Sequence, residues 1–338
     1  MVSKSGSWIV PSRDGIYVEP GDFWIDPSVP KPRALVTHGH ADHARSGHGA
    51  VMATAETLGI MAVRYGEATG GQAAAYGETT RIGDVEVRFV PAGHIMGSAQ
   101  IVLDYAGAKG TERVVVSGDY KRRADPTCPP FEPVACDIFV SEATFALPIF
   151  RHPPMSQEIK KLLAALRDNA ERCVLVGAYA LGKAQRLIME LRAAGYHETI
   201  WLHGAMQKLC DLYRDFGCDL GDLSLVTPEN KKSLRGALIL CPPSALNDRW
   251  SRGLPDPLTA MASGWMGIRQ RARQRNVELP LVISDHADWE ELTATVEEVD
   301  PAELWITHGR DDALSRWCEL HQRKARPLDL AGRDEEDD

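Results

Sequence analysis

The sequence predicts an α/β protein built from two kinds of unit, and three observations carry that expectation. Short apolar runs divided by turn residues crowd the first part of the chain. From about residue 150 helical periodicity alternates with strand-like runs, the pattern of a parallel sheet covered by helices. Polar residues suited to holding metal recur just past the ends of the apolar runs, where layered folds present functional groups on loops.

In chain order, residues 8–10, 16–18, 23–25 and 34–37 read as strands bounded by Pro, Gly and Asp. Strands at 85–90, 100–105, 113–117 and 137–141 follow. Beyond residue 150, Ile159, Leu162, Leu163 and Leu166 fall at helical spacing, as do Ala184, Leu187, Ile188 and Leu191. Strands at 173–176, 199–202, 223–226 and 237–240 lie between helices. The last part reads as a strand at 280–284, a helix near 289–298, a strand at 303–307 and a helix near 311–325. The expected division is 1–148 and 277–330 for one domain, 149–276 for an insertion within it, and 331–338 for an acidic, disordered tail.

A chain of 338 residues can bury two cores, and 44% hydrophobic with 25% charged residues is ordinary for a soluble globular protein. No apolar run approaches the ~18 residues of a membrane span, and residues 1–7 lack a signal-peptide core, so no membrane partner is expected. The seven cysteines are scattered and never form CxxC, which fits a cytoplasmic, reducing setting and excludes a thiolate zinc knuckle. The net charge of −9 is partly the work of the run Asp334-Glu335-Glu336-Asp337-Asp338. Basic residues are bunched instead: Lys121-Arg122-Arg123, Lys231-Lys232, and Arg269, Arg271, Arg273 and Arg275. Such clusters can bind phosphates on an otherwise acidic molecule, although charge runs also form plain solvated faces.

The most informative segment is His38-Gly39-His40-Ala41-Asp42-His43, directly after the run 34–37. Two histidines one residue apart project to the same side of an extended backbone. Asp42 and His43 can then face a second ion. Imidazole and carboxylate ligands without thiolate suit zinc or manganese in an open, catalytic site. His94 in Gly93-His94-Ile95, Asp119 in Ser117-Gly118-Asp119 and His308 in Thr307-His308-Gly309 each end a predicted strand. Together they supply enough ligands for two divalent ions, with Asp119 as the carboxylate that can bridge both.

In this order the motifs resemble the metallo-β-lactamase fold. The resemblance implies an αββα sandwich with the metals at the edge between its two sheets. It implies that His38, His40 and His94 hold one ion, that Asp42, His43 and His308 hold the other, and that Asp119 is shared. Asp26, in Ile25-Asp26-Pro27, matches the superfamily's first motif and would orient a ligand histidine; from sequence alone it reads equally well as a turn-starting Asp before proline. The long separation between Asp119 and His308 resembles the β-CASP nucleases, in which an α/β domain is inserted. Ser141-Glu142-Ala143-Thr144-Phe145, Ser284-Asp285-His286-Ala287-Asp288-Trp289 and Thr307-His308-Gly309 are similar to that subgroup's acidic and two histidine motifs.

That likeness implies a two-metal phosphodiesterase. His286 would be the general acid, with Glu142 holding its ring and keeping it protonated. Ser284, Lys183 and Ser263 are the candidate substrate-binding residues; Ser284 reads more readily as a strand-end hydroxyl. His203 is a further candidate for the substrate cleft, and His48, His152, His197 and His321 read as surface or structural histidines. The chain as a whole is similar to the bacterial ligase-associated DNA exonucleases, notably in Tyr17-Val18-Glu19-Pro20-Gly21-Asp22-Phe23-Trp24-Ile25-Asp26-Pro27 and Ala262-Ser263-Gly264-Trp265-Met266. This implies DNA as substrate, 5′-to-3′ degradation of single-stranded ends, and work beside an ATP-dependent DNA ligase and a helicase in repair. The alternatives are an RNA 3′-end processing nuclease, favoured by histidine at position 308, an inactive nucleic-acid-binding subunit, and a small-molecule hydrolase.

Overall fold

In the computed structural model, residues 6–66, 70–108, 110–275, 277–328 and 330 are described. The predicted tail at 331–338 lies outside them. The chain divides into one unit formed by Met1–Arg151 with His286–Asp337 and a second formed by His152–Asp285.

The first unit opens with β1 (Ile9–Ser12), β2 (Gly15–Val18), β3 (Phe23–Ile25), β4 (Arg33–Leu35), β5 (Ala50–Ala53), α1 (Ala55–Tyr65) and β6 (Gly71–Ala73). These six strands form one sheet in chain order, antiparallel from β1 to β3 and parallel from β3 to β6. The segment then runs through β7 (Thr79–Ile82), β8 (Val85–Pro91), β9 (Ala99–Gly107), β10 (Gly110–Val116) and β11 (Ile138–Glu142).

The second unit contains α2 (Met155–Asp168), β12 (Val174–Gly177), α3 (Lys183–Ala193), β13 (Ile200–Leu202), α4 (Gln207–Asp215), β14 (Leu223–Leu225), β15 (Leu238–Cys241), β16 (Leu258–Ala262), α5 (Arg269–Gln274) and β17 (Leu279–Leu281). Its six strands are all parallel, in the order β14-β13-β15-β12-β16-β17. β17 was expected in the returning part of the first domain. It instead pairs with β16, because Leu281 buries completely against this sheet.

The first unit resumes with α6 (Trp289–Val299), β18 (Glu303–Thr307), α7 (Asp312–Leu320) and β19 (Ala325–Pro327). β18 and β19 complete its second sheet, of order β19-β18-β11-β10-β9-β8-β7. The predicted helix near 311–325 is therefore shorter, because its last residues, Ala325 onward, pair with β18.

Alternation along these strands sets the layers. Ile16, Val18, Phe23 and Ile25 of the first sheet share one core cluster with Val87, Ile101, Leu103, Val116, Val140 and Trp305 of the second. The alternate residues Val102, Val115, Phe139, Leu304 and Ile306 pack with Leu292, Val296 and Leu314 of α6 and α7. Val51 and Ala53 pack with Met61 of α1. Strands covered on both faces, such as β11 and β18, therefore read as near-continuous apolar runs, whereas β6 is exposed throughout. Trp305 is the largest fully buried side chain. Trp305→Ala is expected to cost about 3–5 kcal/mol, read by denaturant unfolding; a change below about 1 kcal/mol would show that the cluster is not a close-packed core.

Candidate metal centre

The centre collects at strand ends of the first unit. β4 runs on through Val36 and Thr37 into the loop that begins at His38, and His43 and Ala44 both donate backbone N–H groups to the His40 carbonyl, 3.2 and 2.8 Å away. This short turn folds His38, His40, Asp42 and His43 onto one another. His94 sits between β8 and β9, where the Ser98 hydroxyl accepts from its N–H at 3.0 Å. Asp119 follows β10, and His308 follows β18.

Four groups of ligand atoms, each within 4.8 Å of one another, arise there: His38, His40, His94 and Asp119; His38, Asp42 and His43; His43, Asp119 and His308; and Asp119, Glu142 and His286. The carboxylate of Asp119 divides between two of these. Its Oδ2 lies 3.4 Å from His38 Nε2 and 3.8 Å from His94 Nε2. Its Oδ1 lies 3.5 Å from His43 Nε2 and 3.8 Å from His308 Nδ1. Asp42 Oδ2 is 3.2 Å from His43 Nε2 and 3.6 Å from His308 Nε2.

Two site residues have left-handed backbones: Asp26 with φ 44° and His308 with φ 58°. Such a conformation is uncommon for a side chain other than Gly and persists where surrounding structure enforces it. Gly309 follows at φ 71°, and a Cβ there would stand 2.3 Å from the Ala143 carbonyl oxygen, so only glycine permits this approach.

Charge is arranged for a cation. Burial and the neighbouring His38 push His40 down to about 3, and burial with His38 and His286 holds His94 well below its ordinary value. Burial alone would raise Asp42 and Asp119, but His43 and His308 outweigh it and keep both carboxyls well below the usual range. Burial would likewise lower His43, yet the carboxylates of Asp42, Asp119 and Asp26 hold it well above. Ionised carboxylates and the neutral imidazoles of His40 and His94 are what a divalent ion requires, and an ion bound at His43 would displace its proton. His38 Nε2, Asp42 Oδ1, His43 Nε2 and Asp119 Oδ1 are buried without a hydrogen-bond partner. Four such atoms together are costly unless something satisfies them, and an all-N/O donor set fits zinc or manganese.

Around the ligands stands a set of orienting groups. Asp26 Oδ2 accepts from His43 Nδ1 at 2.7 Å and from the Thr37 hydroxyl at 2.6 Å, while its Oδ1 accepts from the Thr37 N–H at 2.8 Å. With Nδ1–H committed to Asp26, His43 presents Nε2 with its lone pair inward. Asp26→Asn is therefore expected to weaken metal affinity about 10–100-fold, read by competition with a chromophoric chelator. Unchanged affinity would reduce Asp26 to a turn residue. His286 Nδ1 is 3.0 Å from Glu142 Oε2, and Glu142 Oε1 accepts from the Tyr120 N–H at 2.8 Å. The His286 and His94 rings are 4.8 Å apart.

Sequence reasoning missed Thr37 and Lys121 as supports of this centre. The Lys121 ammonium is fully buried, donates to the His94 carbonyl oxygen and pairs with Asp125 at 2.8 Å. The cluster Lys121-Arg122-Arg123 is accordingly not a phosphate patch: Arg122 pairs with Glu298 at 2.6 Å and Arg123 with Glu291 at 3.1 Å. Only the apolar run before Asp119, which buries whatever follows it, hinted at this.

Ser263, Lys183 and Ser284 belong to the second unit. All three follow carboxyl ends of its parallel strands, the usual place for ligands in such sheets. The Ser263 hydroxyl accepts from the Trp265 N–H at 3.2 Å. Lys183 is buried with Nζ 4.0 Å from Asp285, and the Ser284 carbonyl accepts from Arg186 at 2.8 Å.

Paired sheets flanked by helices, with a buried histidine–carboxylate centre at the strand ends, define a candidate metallohydrolase. No family model matches the chain. It is 28% identical over 326 residues to the "Probable DNA ligase" of Opitutus terrae, covering 92% of this chain and 31% of that protein. It is 22% identical over 285 residues to "Cleavage and polyadenylation specificity factor subunit 3" of Dictyostelium discoideum, covering 69% of this chain and 36% of that one. Over 139 residues it is 29% identical to "Endoribonuclease ysh1" of Aspergillus fumigatus, covering 40% of this chain and 15% of that one. The chain thus spans about a third of the length of the first two relatives. A crystal structure of a protein of unknown function from Enterococcus faecalis superposes with a TM-score of 0.57 at 12% identity, over 81% of this chain and 74% of that one. Two of these relatives thus carry the names of a cleavage factor subunit and an endoribonuclease.

Proposed function

We propose that the protein is a metal-dependent exodeoxyribonuclease of metallo-β-lactamase αββα fold with an inserted β-CASP domain, which degrades single-stranded DNA ends in the 5′-to-3′ direction. The observation that carries it is the Glu142–His286 pair, whose ligand atoms lie within 4.8 Å of Asp119. His38, His40 and His94 would hold one ion, Asp42, His43 and His308 the other, and Asp119 both. Bound there, two zinc or manganese ions would supply hydroxide near neutral pH and offset phosphate charge.

The protein's own groups do the rest. His286 Nδ1 is committed to Glu142, so Nε2 is the nitrogen that donates a proton to the leaving sugar oxygen. Glu142 is fixed in turn by the Tyr120 N–H and stabilises the imidazolium before transfer. Ser263, Lys183 and Ser284 are assigned to substrate contacts.

DNA is favoured because a segment similar to 92% of this chain occurs within a longer protein named as a probable DNA ligase. The same similarity supports a functional partnership with an ATP-dependent ligase. An RNA nuclease is the second reading, favoured by the 29% identity to an endoribonuclease. No described helix is long and apolar enough to cross a membrane.

The test is degradation of 5′- and 3′-labelled single-stranded DNA and RNA by the pure protein with zinc or manganese. Mononucleotides released from one end of DNA are expected. Preferential cutting of RNA would establish the second reading, and no cutting of either polymer would sink both.

A further inference from the structure

The basic residues of the second unit stand apart from those of the first. Among the described residues, no carboxylate forms an ion pair with Lys232, Arg249, Arg252, Arg269 or Arg273, and all five are exposed. On a chain of net charge −9, with Arg122 and Arg123 of the first unit paired, cations left without partners are a local positive field.

Contacts centre on Trp250, which Arg249 precedes and Arg252 follows in the chain. Lys231 donates to the Trp250 carbonyl oxygen, and its ammonium lies 4.8 Å from the Trp250 ring centroid. His203, just past β13, meets the same ring edge-on, with centroids 4.6 Å apart. The Asn247 side chain donates to the Arg275 carbonyl oxygen at 3.4 Å, joining this loop to the end of α5. Arg269 and Arg273 are one turn apart on that helix and so share a face. Trp250 is only partly buried. Asp248 is the acidic residue of the loop, and its carboxylate accepts from the Ser251 N–H at 3.0 Å.

Partly exposed aromatic rings, with unpaired cations beside them in the chain and on the helix joined to their loop, are what a single strand of nucleic acid requires. Unpaired bases stack on the rings, and the phosphates between them meet the cations. We infer that the second unit carries a single-stranded nucleic-acid platform, with Trp250 and His203 as its stacking surface and Lys232, Arg249, Arg252, Arg269 and Arg273 as its phosphate contacts. This rests on the nucleic-acid reading of the proposed function and adds where the strand is held. A duplex, whose bases are already stacked, offers Trp250 nothing comparable.

Binding of a fluorescent oligothymidylate to the full chain in excess EDTA, followed by anisotropy, separates holding from cutting. Trp250→Ala is expected to weaken binding about tenfold, with most of the affinity recovered in Trp250→Phe. Arg249→Ala with Arg252→Ala is expected to lower the slope of log K against log salt by about 0.7 per arginine. Circular dichroism checks that Trp250→Ala folds, and the two exposed arginines test the platform independently of it. Wild-type affinity and slope in both variants would overturn the platform, as would equal affinity for duplex, or binding to anionic vesicles but not to the oligonucleotide. If these variants lose binding while the wild type cuts nothing, the platform stands and the nuclease reading falls. Cutting with undiminished binding in the variants gives the reverse.

Discussion

Asp119→Ala is expected to remove metal and turnover together, lowering the hydrolysis rate at least about a thousandfold. The two oxygens of Asp119 face different histidine groups, Oδ2 toward His38 and His94 and Oδ1 toward His43 and His308. Among the described residues, Asp119 is the member common to the His38–His40–His94 group and the His43–His308 group. Its loss also removes one of the carboxylates that, with Asp42 and Asp26, offset burial at His43. Lewis-acid stabilisation of a phosphoryl transition state is worth several kcal/mol, and about 1.4 kcal/mol is a factor of ten. Elemental analysis of the purified variant beside the wild type, with rates on labelled DNA, checks both halves. Full metal content with full activity in Asp119→Ala would remove the shared-ligand role.

His286→Ala is expected to separate the two properties. Metal content should stay at the wild-type level, while turnover falls about 10²–10⁴-fold, the usual contribution of a positioned general acid. The reason lies in the carboxylate beside it: Glu142 occupies Nδ1 at 3.0 Å, so the ring is oriented. One signature distinguishes this from a structural loss. A phosphodiester with a p-nitrophenolate leaving group needs no proton and should lose far less. Equal losses on both substrates would show that His286 does not protonate the leaving group.

The ligand set was legible from sequence wherever chemistry and position are local. His38 to His43 lie within six residues, and His94, Asp119 and His308 each follow an apolar run that turns out to be a buried strand. Other elements carry no such mark. α1 contains Gly59 and buries only Thr57, Ile60 and Met61, and β6 is exposed throughout, so neither shows a clear period. β17 includes Pro280, which reads as a strand boundary, yet the strand lies at a sheet edge where a missing N–H is tolerated.

By itself the sequence determined which histidines and carboxylates stand at strand ends, the change from a strand-dense to an alternating pattern, and the absence of a long apolar run, because each depends on residue type and near neighbours. Only the tertiary structure decided which charges are spent inside the fold. Lys121, Arg122 and Arg123 look in sequence like Lys231 and Lys232, but Arg122 meets Glu298 and Arg123 meets Glu291, partners more than 160 positions away. A side chain's electrostatic role is set by what folding brings within a few ångströms of it, and that distance is not written in the spacing of residues along the chain.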